Sequence, residues 1–169
     1  ISATDDKLPN MYEEAWYGGD GPGQGATTSN MFYYSNAAIV DGLNIMASYT
    51  PSGTAEVLSS TEFGVAYTGV EGLAVGYATG TDGGAGSASE IDNRTAYVTY
   101  AFGSVTLGYQ QNSSDSKVAN ADEDYTGMVV TYTVTDELAV SYGTAELDYE
   151  NSAFDQESTS VGASYTMGS

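Results

Sequence analysis

Strand after strand, this chain puts large apolar residues on one parity and very little on the other. In EGLAVGYATG (71–80), Leu73, Val75 and Tyr77 alternate with Ala74, Gly76 and Ala78. A period of two marks extended chain, because successive side chains of a strand point to opposite faces. The unit recurs. LNIMASY (43–49), LAVGY (73–77), VTLGY (105–109) and LAVSY (138–142) each follow a short turn, VDG, VEG, FGS and TDE respectively. Another alternating run precedes each turn: NMFYYS (30–35), EFGVAYT (62–68), AYVTYAF (96–102) and GMVVTYTV (127–134). TSVGASYTM (159–167) is the last such run. Polar segments at 51–60, 79–92, 111–124 and 150–158 separate the hairpins as long loops. The pattern of strand, short turn, strand and long loop repeats about every 30–33 residues. It predicts nine antiparallel up-and-down strands within 29–169. Residues 1–28 stand apart as an acidic loop, in which PNMYEEAWY has room for one short helix.

Composition narrows the chemistry. The 169 residues suit one domain. Cysteine and histidine are both absent, which removes disulfides, Cys- or His-based metal sites and His-based catalytic triads. The net charge is −20, from 23 acids against 3 basic residues. Such a chain repels nucleic-acid phosphates and attracts cations. The sequence contains no run of about 18 apolar residues that would make a transmembrane helix. Spanning β-strands carry a much weaker hydropathy signal and remain open as a reading.

Parity and the placing of aromatics indicate which solvent each face meets. Opposite the large apolar face lie Gly64, Ala66, Ala74, Gly76, Thr106, Gly108, Ala139, Ser141, Gly162 and Ser164. Charges avoid the strand centres and crowd the loops; Glu62 is an exception and has the parity of the small polar face. On strands leaving a short turn, Tyr49, Tyr77, Tyr109 and Tyr142 stand toward the long-loop end. On strands entering one, Tyr67, Tyr100 and Phe102 stand near the turn. Two aromatic rows bracketing an apolar band are what a lipid-facing β-wall carries at its two interfaces. The large face is then expected to meet lipid, and the small polar face, including Glu62, to line water. In hydrocarbon every backbone polar group needs a partner, so such strands must close into a barrel. A soluble antiparallel sandwich whose tyrosines happen to fall at strand ends is the plainer alternative.

Two further features suggest an interior segment of a longer chain. Nine strands is an odd number, whereas single-chain bacterial barrels have even counts. YTMGS (165–169) reaches the place where YAFGS (100–104) turns into its next strand.

The hairpins TSNMFYYSNAAIVDGLNIMASYTPSG (28–53), EFGVAYTGVEGLAVGYATG (62–80) and TAYVTYAFGSVTLGYQQNSSD (95–115) resemble general-diffusion porins of Gram-negative bacteria, particularly the alphaproteobacterial type. The resemblance extends over nearly the whole chain. It implies an all-β fold, an antiparallel up-and-down transmembrane β-barrel. Such porins are 16-stranded, within the ~16–18 strands that leave an aqueous channel. They are usually homotrimers in the outer membrane, contacting lipid and lipopolysaccharide and passing small hydrophilic solutes and ions. Their third long loop folds inward and narrows the pore, with acids facing basic residues on the opposite wall. Residues 1–28 resemble that loop. The strands expected to carry the basic cluster would precede residue 1, and the aromatic residue on which the family ends is Ser169 here.

On this reading Asp5, Asp6, Glu13, Glu14 and Asp20 form an acidic pore constriction that favours cations; a solvated acidic loop is the plainer reading. Tyr12 and Trp16, four apart, would pack the loop on the wall. The adjacent Glu13 and Glu14 point different ways on a helix and have no nucleophile beside them, so no enzyme is expected. The acidic tip Asp122, Glu123, Asp124 could take Ca2+, since hard cations prefer oxygen ligands; solvated loop tips fit as well. No other cofactor is implied. Arg94 has lipid-face parity at the loop end of its strand, where head groups or a loop acid would meet it. The function that follows is a passive, cation-preferring diffusion channel. The alternative is a secreted or surface-attached acidic β-rich protein, such as a calcium-dependent adhesin or assembly subunit.

Overall fold

The structure, a computed structural model, describes residues 4, 7–8, 30–53, 57–84 and 89–167. Nine strands form one antiparallel meander: β1 (Phe32–Asn36), β2 (Leu43–Thr50), β3 (Ser60–Val70), β4 (Leu73–Asp82), β5 (Ile91–Phe102), β6 (Val105–Ser116), β7 (Glu123–Thr133), β8 (Leu138–Tyr149) and β9 (Gln156–Tyr165). Each strand pairs with its neighbours in sequence, and the sheet is not closed, so β1 and β9 are its edges. The alternating runs in the sequence are all found as strands.

The short turns are as tight as the sequence implies. Phe102 pairs with Val105 across Gly103 and Ser104. Gly103 has φ 58°, a left-handed conformation that two-residue hairpins require and that glycine adopts without steric cost. The turns also join one hairpin to the next. The carbonyls of Gly42, Gly72, Ser104 and Glu137 accept from the backbone N–H groups of Thr68, Ala101, Thr133 and Thr166, each at 2.8 Å. The turn edge of the sheet is thus one continuous hydrogen-bonded rim.

The long-loop edge differs from expectation. The segment 111–124 is not a loop throughout, because β6 runs on to Ser116 and β7 begins at Glu123. Likewise β4 extends through Thr79–Asp82, whereas β8 ends at Tyr149, where the expected loop 150–158 begins. The ends of β4 and β6 are polar on both faces, so hydropathy alternation fades while backbone pairing continues. Ladder hydrogen bonds satisfy the backbone whatever the side chains are.

Register sorts every strand residue onto one of two faces. The first carries Leu43, Ile45 and Tyr49 of β2; Phe63, Val65 and Tyr67 of β3; and Leu73, Val75 and Tyr77 of β4. It continues through Val98, Tyr100 and Phe102, then Leu107 and Tyr109, then Val130 and Tyr132, to Val140 and Tyr142. The large apolar strand residues that stand exposed lie on this outer face, among them Phe63, Leu107, Met128 and Val161; Tyr33 on edge strand β1 is the exception. The buried strand residues lie on the other, inner face: Met46, Ala78, Asn93, Thr95, Gln110, Asn112, Tyr125, Val129, Ser141, Ala145 and Leu147. Some small inner residues make room for neighbours rather than for water. A Cβ on Gly76 would collide with the Tyr97 ring, and one on Gly64 would touch Met46 Cε at 3.4 Å.

Candidate functional site: the two faces of the wall

The outer face has a banded chemistry. Near the turn rim stand Tyr67, Tyr100, Phe102, Tyr132 and Tyr165. Tyr77, Tyr109 and Tyr142 stand one same-face step farther toward the long loops, and Tyr49 farther still; the two rows expected to bracket an apolar band instead interleave with it, since Val75, Leu107 and Val65 lie directly opposite Tyr67, Tyr100 and Tyr77. Beyond the second row the same face turns polar, with Arg94, Gln111, Ser113, Asp115, Asp124, Glu146 and Asp148. All seven aromatics singled out in the sequence share this face. Tyr132 and Tyr165 belong with them; register adds them, because their strands end at the same rim. Tyr100 and Phe102 stack along β5 with ring centroids 5.6 Å apart.

Arg94 stands in the polar zone and pairs with Asp115 of β6 at 3.0 Å. Both side chains are about half exposed, and the pair sits diagonally across the β5–β6 ladder. Lys117, just past β6, approaches Asp92 and Glu90 at 3.8 and 4.0 Å. The proposed calcium tip does not assemble. Glu123 has inner-face parity opposite Ser114, whereas Asp124 has outer-face parity opposite Ser113. Asp122 accepts from the Ser116 N–H at 2.7 Å. Among the described residues no group of three or more acids is placed to hold a metal ion.

The inner face is polar but not bare. Glu62 has the expected parity, and its Oε2 accepts from Ser48 Oγ at 2.9 Å. Farther along, three polar side chains are almost wholly buried: Thr95, Gln110 and Asn112, at 1, 2 and 3 % exposure. Thr95 Oγ1 lies 2.6 Å from Asn112 Oδ1, its partner directly across the ladder. Gln110 Nε2 donates to the same oxygen at 3.1 Å.

What covers them comes from the other end of the chain. Gln110 Oε1 accepts from the backbone N–H of Lys7 at 2.9 Å, and Thr95 Oγ1 lies 3.0 Å from the carbonyl of Thr4. Beside them Leu8 completes an apolar cluster with Tyr125, Val129, Ala145 and Leu147, against which Tyr149 packs. Sequence reasoning did not find these residues. Gln110 and Asn112 sit in a polar run that reads as the start of a loop, and nothing local links them to residues 4–8. The sequence-predicted constriction acids Asp5, Asp6, Glu13, Glu14 and Asp20, with Tyr12 and Trp16, lie outside the described residues.

An antiparallel meander with an aromatic-rich apolar face outside and a largely polar face inside has the chemistry of a β-wall between lipid and water. The comparisons narrow that class. The sequence profile of the Gram-negative porins matches residues 2–169, and the chain belongs to that family. A porin from Rhodopseudomonas blastica, solved as a triple mutant, has a similar structure, with 26% sequence identity and a TM-score of 0.50. The similarity covers 80% of this chain and 42% of that one, so the nine strands correspond to part of a porin barrel. No curated protein matches the chain. Family membership places the protein in the outer membrane, assigns it no enzymatic activity, and decides against the secreted adhesin.

Proposed function

We propose that these nine strands are part of the wall of a closed, 16-stranded, water-filled porin, within the ~16–18 strands that leave an aqueous channel. The channel passes small hydrophilic solutes and ions by passive diffusion, with a preference for cations. The observation that carries this reading is the division of one sheet into an exposed apolar face and a polar face. An open sheet edge in hydrocarbon leaves backbone groups unpaired, which argues that β1 and β9 are joined to further strands.

Residues 1–28 are, in this proposal, the inward-folded constriction loop, with Asp5, Asp6, Glu13, Glu14 and Asp20 facing the pore. The packing of Thr4, Lys7 and Leu8 on the inner face supports it. Cation preference follows from a net charge of −20 and from acids such as Glu62 on the inner face, which concentrate cations in a confined lumen. The seven aromatics Tyr49, Tyr67, Tyr77, Tyr100, Phe102, Tyr109 and Tyr142 act as interfacial girdles. The homotrimer and the contact with lipopolysaccharide are proposed from the family resemblance.

The test is planar-bilayer conductance of the intact, detergent-extracted protein, with the reversal potential measured in a KCl gradient. Discrete steps reversing toward the cation limit are the expected result. Discrete steps that reverse toward the anion limit would overturn the cation preference while leaving the channel. Folded protein that makes no steps would overturn the channel itself.

A further inference from the structure

We propose that the inner wall carries a two-point latch that holds the N-terminal segment: Thr95, Gln110 and Asn112 clamp its backbone, and Tyr125, Val129, Ala145 and Leu147 form a socket for Leu8. The latch deepens the constriction reading and depends on it only for its effect on the pore. These wall residues are positioning residues. They set where the segment runs and so how wide the channel is.

The clamp is built to grip main chain. Gln110 takes the Lys7 N–H, and Thr95 reaches the Thr4 carbonyl. A hydroxyl has one proton, so Thr95 donates to Thr4 or to Asn112 at any moment, while Gln110 Nε2 also donates to the Asn112 carbonyl oxygen. A network this deeply buried is costly unless its members have partners, and the segment supplies two of them. Thr4 itself is fully buried.

The socket is where the inner face breaks its own rule. Along β3 and β4 that face carries Gly64, Ala66, Ala74, Gly76 and Ala78. On β7 and β8 it carries Tyr125, Val129 and Leu147, at 6, 4 and 3 % exposure. A wall meant only for water has no use for large apolar side chains there; Leu8 gives them one. Gly127, between Tyr125 and Val129 on the same face, keeps the socket open. A Cβ at that position would come within 2.7 Å of Leu8 Cδ1. Neither point of the latch uses a charged wall residue, so salt does not screen it.

The experiment follows the Lys7 amide by hydrogen exchange in the intact porin, alongside single-channel conductance. Expected is a protected amide in the unaltered protein, exchanging roughly a hundredfold slower than a free peptide. Gln110→Ala and Leu8→Ser should each speed it by roughly tenfold or more, with conductance shifting in step, while Leu8→Met should leave both near their starting values. If Gln110→Ala does not fold, Leu147→Ala tests the latch by opening the Leu8 socket from β8, a strand that does not border the clamp on β5 and β6, and should speed the same exchange. A Lys7 amide that exchanges freely in the unaltered porin overturns the latch, whatever the conductance. Protection lost with conductance unchanged keeps the latch and overturns the constriction reading.

Discussion

Val129 and Val130 are neighbours in the chain and stand in opposite surroundings. Val129 is 4% exposed, packed with Leu8, Tyr125, Ala145 and Leu147 on the inner face; Val130 is 37% exposed in the middle of the outer band. In a water-soluble β-sheet the exposed valine would be the anomaly. In a wall facing lipid it is the rule, and the buried one needs the explanation. On the outer face apolar side chains are solvated by hydrocarbon and owe nothing to particular neighbours. On the inner face an apolar side chain is stable only where something covers it. What covers it here is Leu8, with Thr4 and Lys7 held to the same face.

That contrast can be broken in graded steps. The largest effect should come from a charge in the outer band. Val130→Lys is expected to cost about 2–4 kcal/mol of folding stability in lipid vesicles, because a lysine between Met128 and Tyr132 on the lipid-facing side loses its hydration. Thr106→Lys, on the inner face, should cost within about 0.5 kcal/mol and move the reversal potential away from the cation limit. Urea titration of folding into vesicles, followed by circular dichroism, compares them directly. Equal costs would mean that the two faces meet the same solvent.

Next in size is the socket. Leu147→Ala removes a side chain from a packed cluster and is expected to cost about 2–3 kcal/mol, including the cavity left behind. Val161→Ala on the outer face of β9 should cost less than about 1 kcal/mol, since lipid fills the space. The same titration checks the pair, and a cost at Val161 matching that at Leu147 would remove the distinction between solvated and covered apolar groups.

Glu62→Gln sharpens the inner face alone. The amide oxygen can still accept from Ser48 Oγ, so stability should change by less than about 1 kcal/mol. The cation-over-anion permeability ratio should fall, by roughly twofold or less because other acids remain. An unchanged ratio in the KCl gradient would take Glu62 out of the ion path.

The smallest effect is expected at Arg94→Gln. The Arg94–Asp115 pair is about half exposed in the polar zone above the aromatic row. It should contribute about 0.5 kcal/mol at low salt and less as salt is raised. A loss of several kcal/mol would mean that this zone is buried against something, rather than standing in the head-group region.

Much of this wall is legible in the chain itself. The parity of Leu73, Val75 and Tyr77 against Ala74, Gly76 and Ala78 sets both the strand and its two faces. Short turns such as Glu71–Gly72 set the hairpin order, because tight turns join only antiparallel neighbours. The aromatic rows follow from counting residues outward from those turns. Less legible were the polar strand ends. At Thr79–Asp82 and Gln111–Ser116 pairing continues through backbone hydrogen bonds, which leave no mark on side-chain hydropathy. The acidic tip misled in the same way: Glu123 and Asp124 look clustered in sequence, but alternation along β7 sends them to opposite faces.

Periodicity is a local property, and the chain alone determined what is local: nine strands, their order, the exposed apolar face and the absence of any His- or Cys-based chemistry. The latch was decided only in three dimensions. It joins Lys7 to Gln110 and Thr4 to Thr95, contacts 103 and 91 residues apart in the chain. No pattern around Gln110 predicts a backbone amide arriving from that distance, and Tyr125, Val129 and Leu147 look misplaced until Leu8 sits among them. Packing between distant segments depends on where folding brings them, and sequence spacing does not encode that.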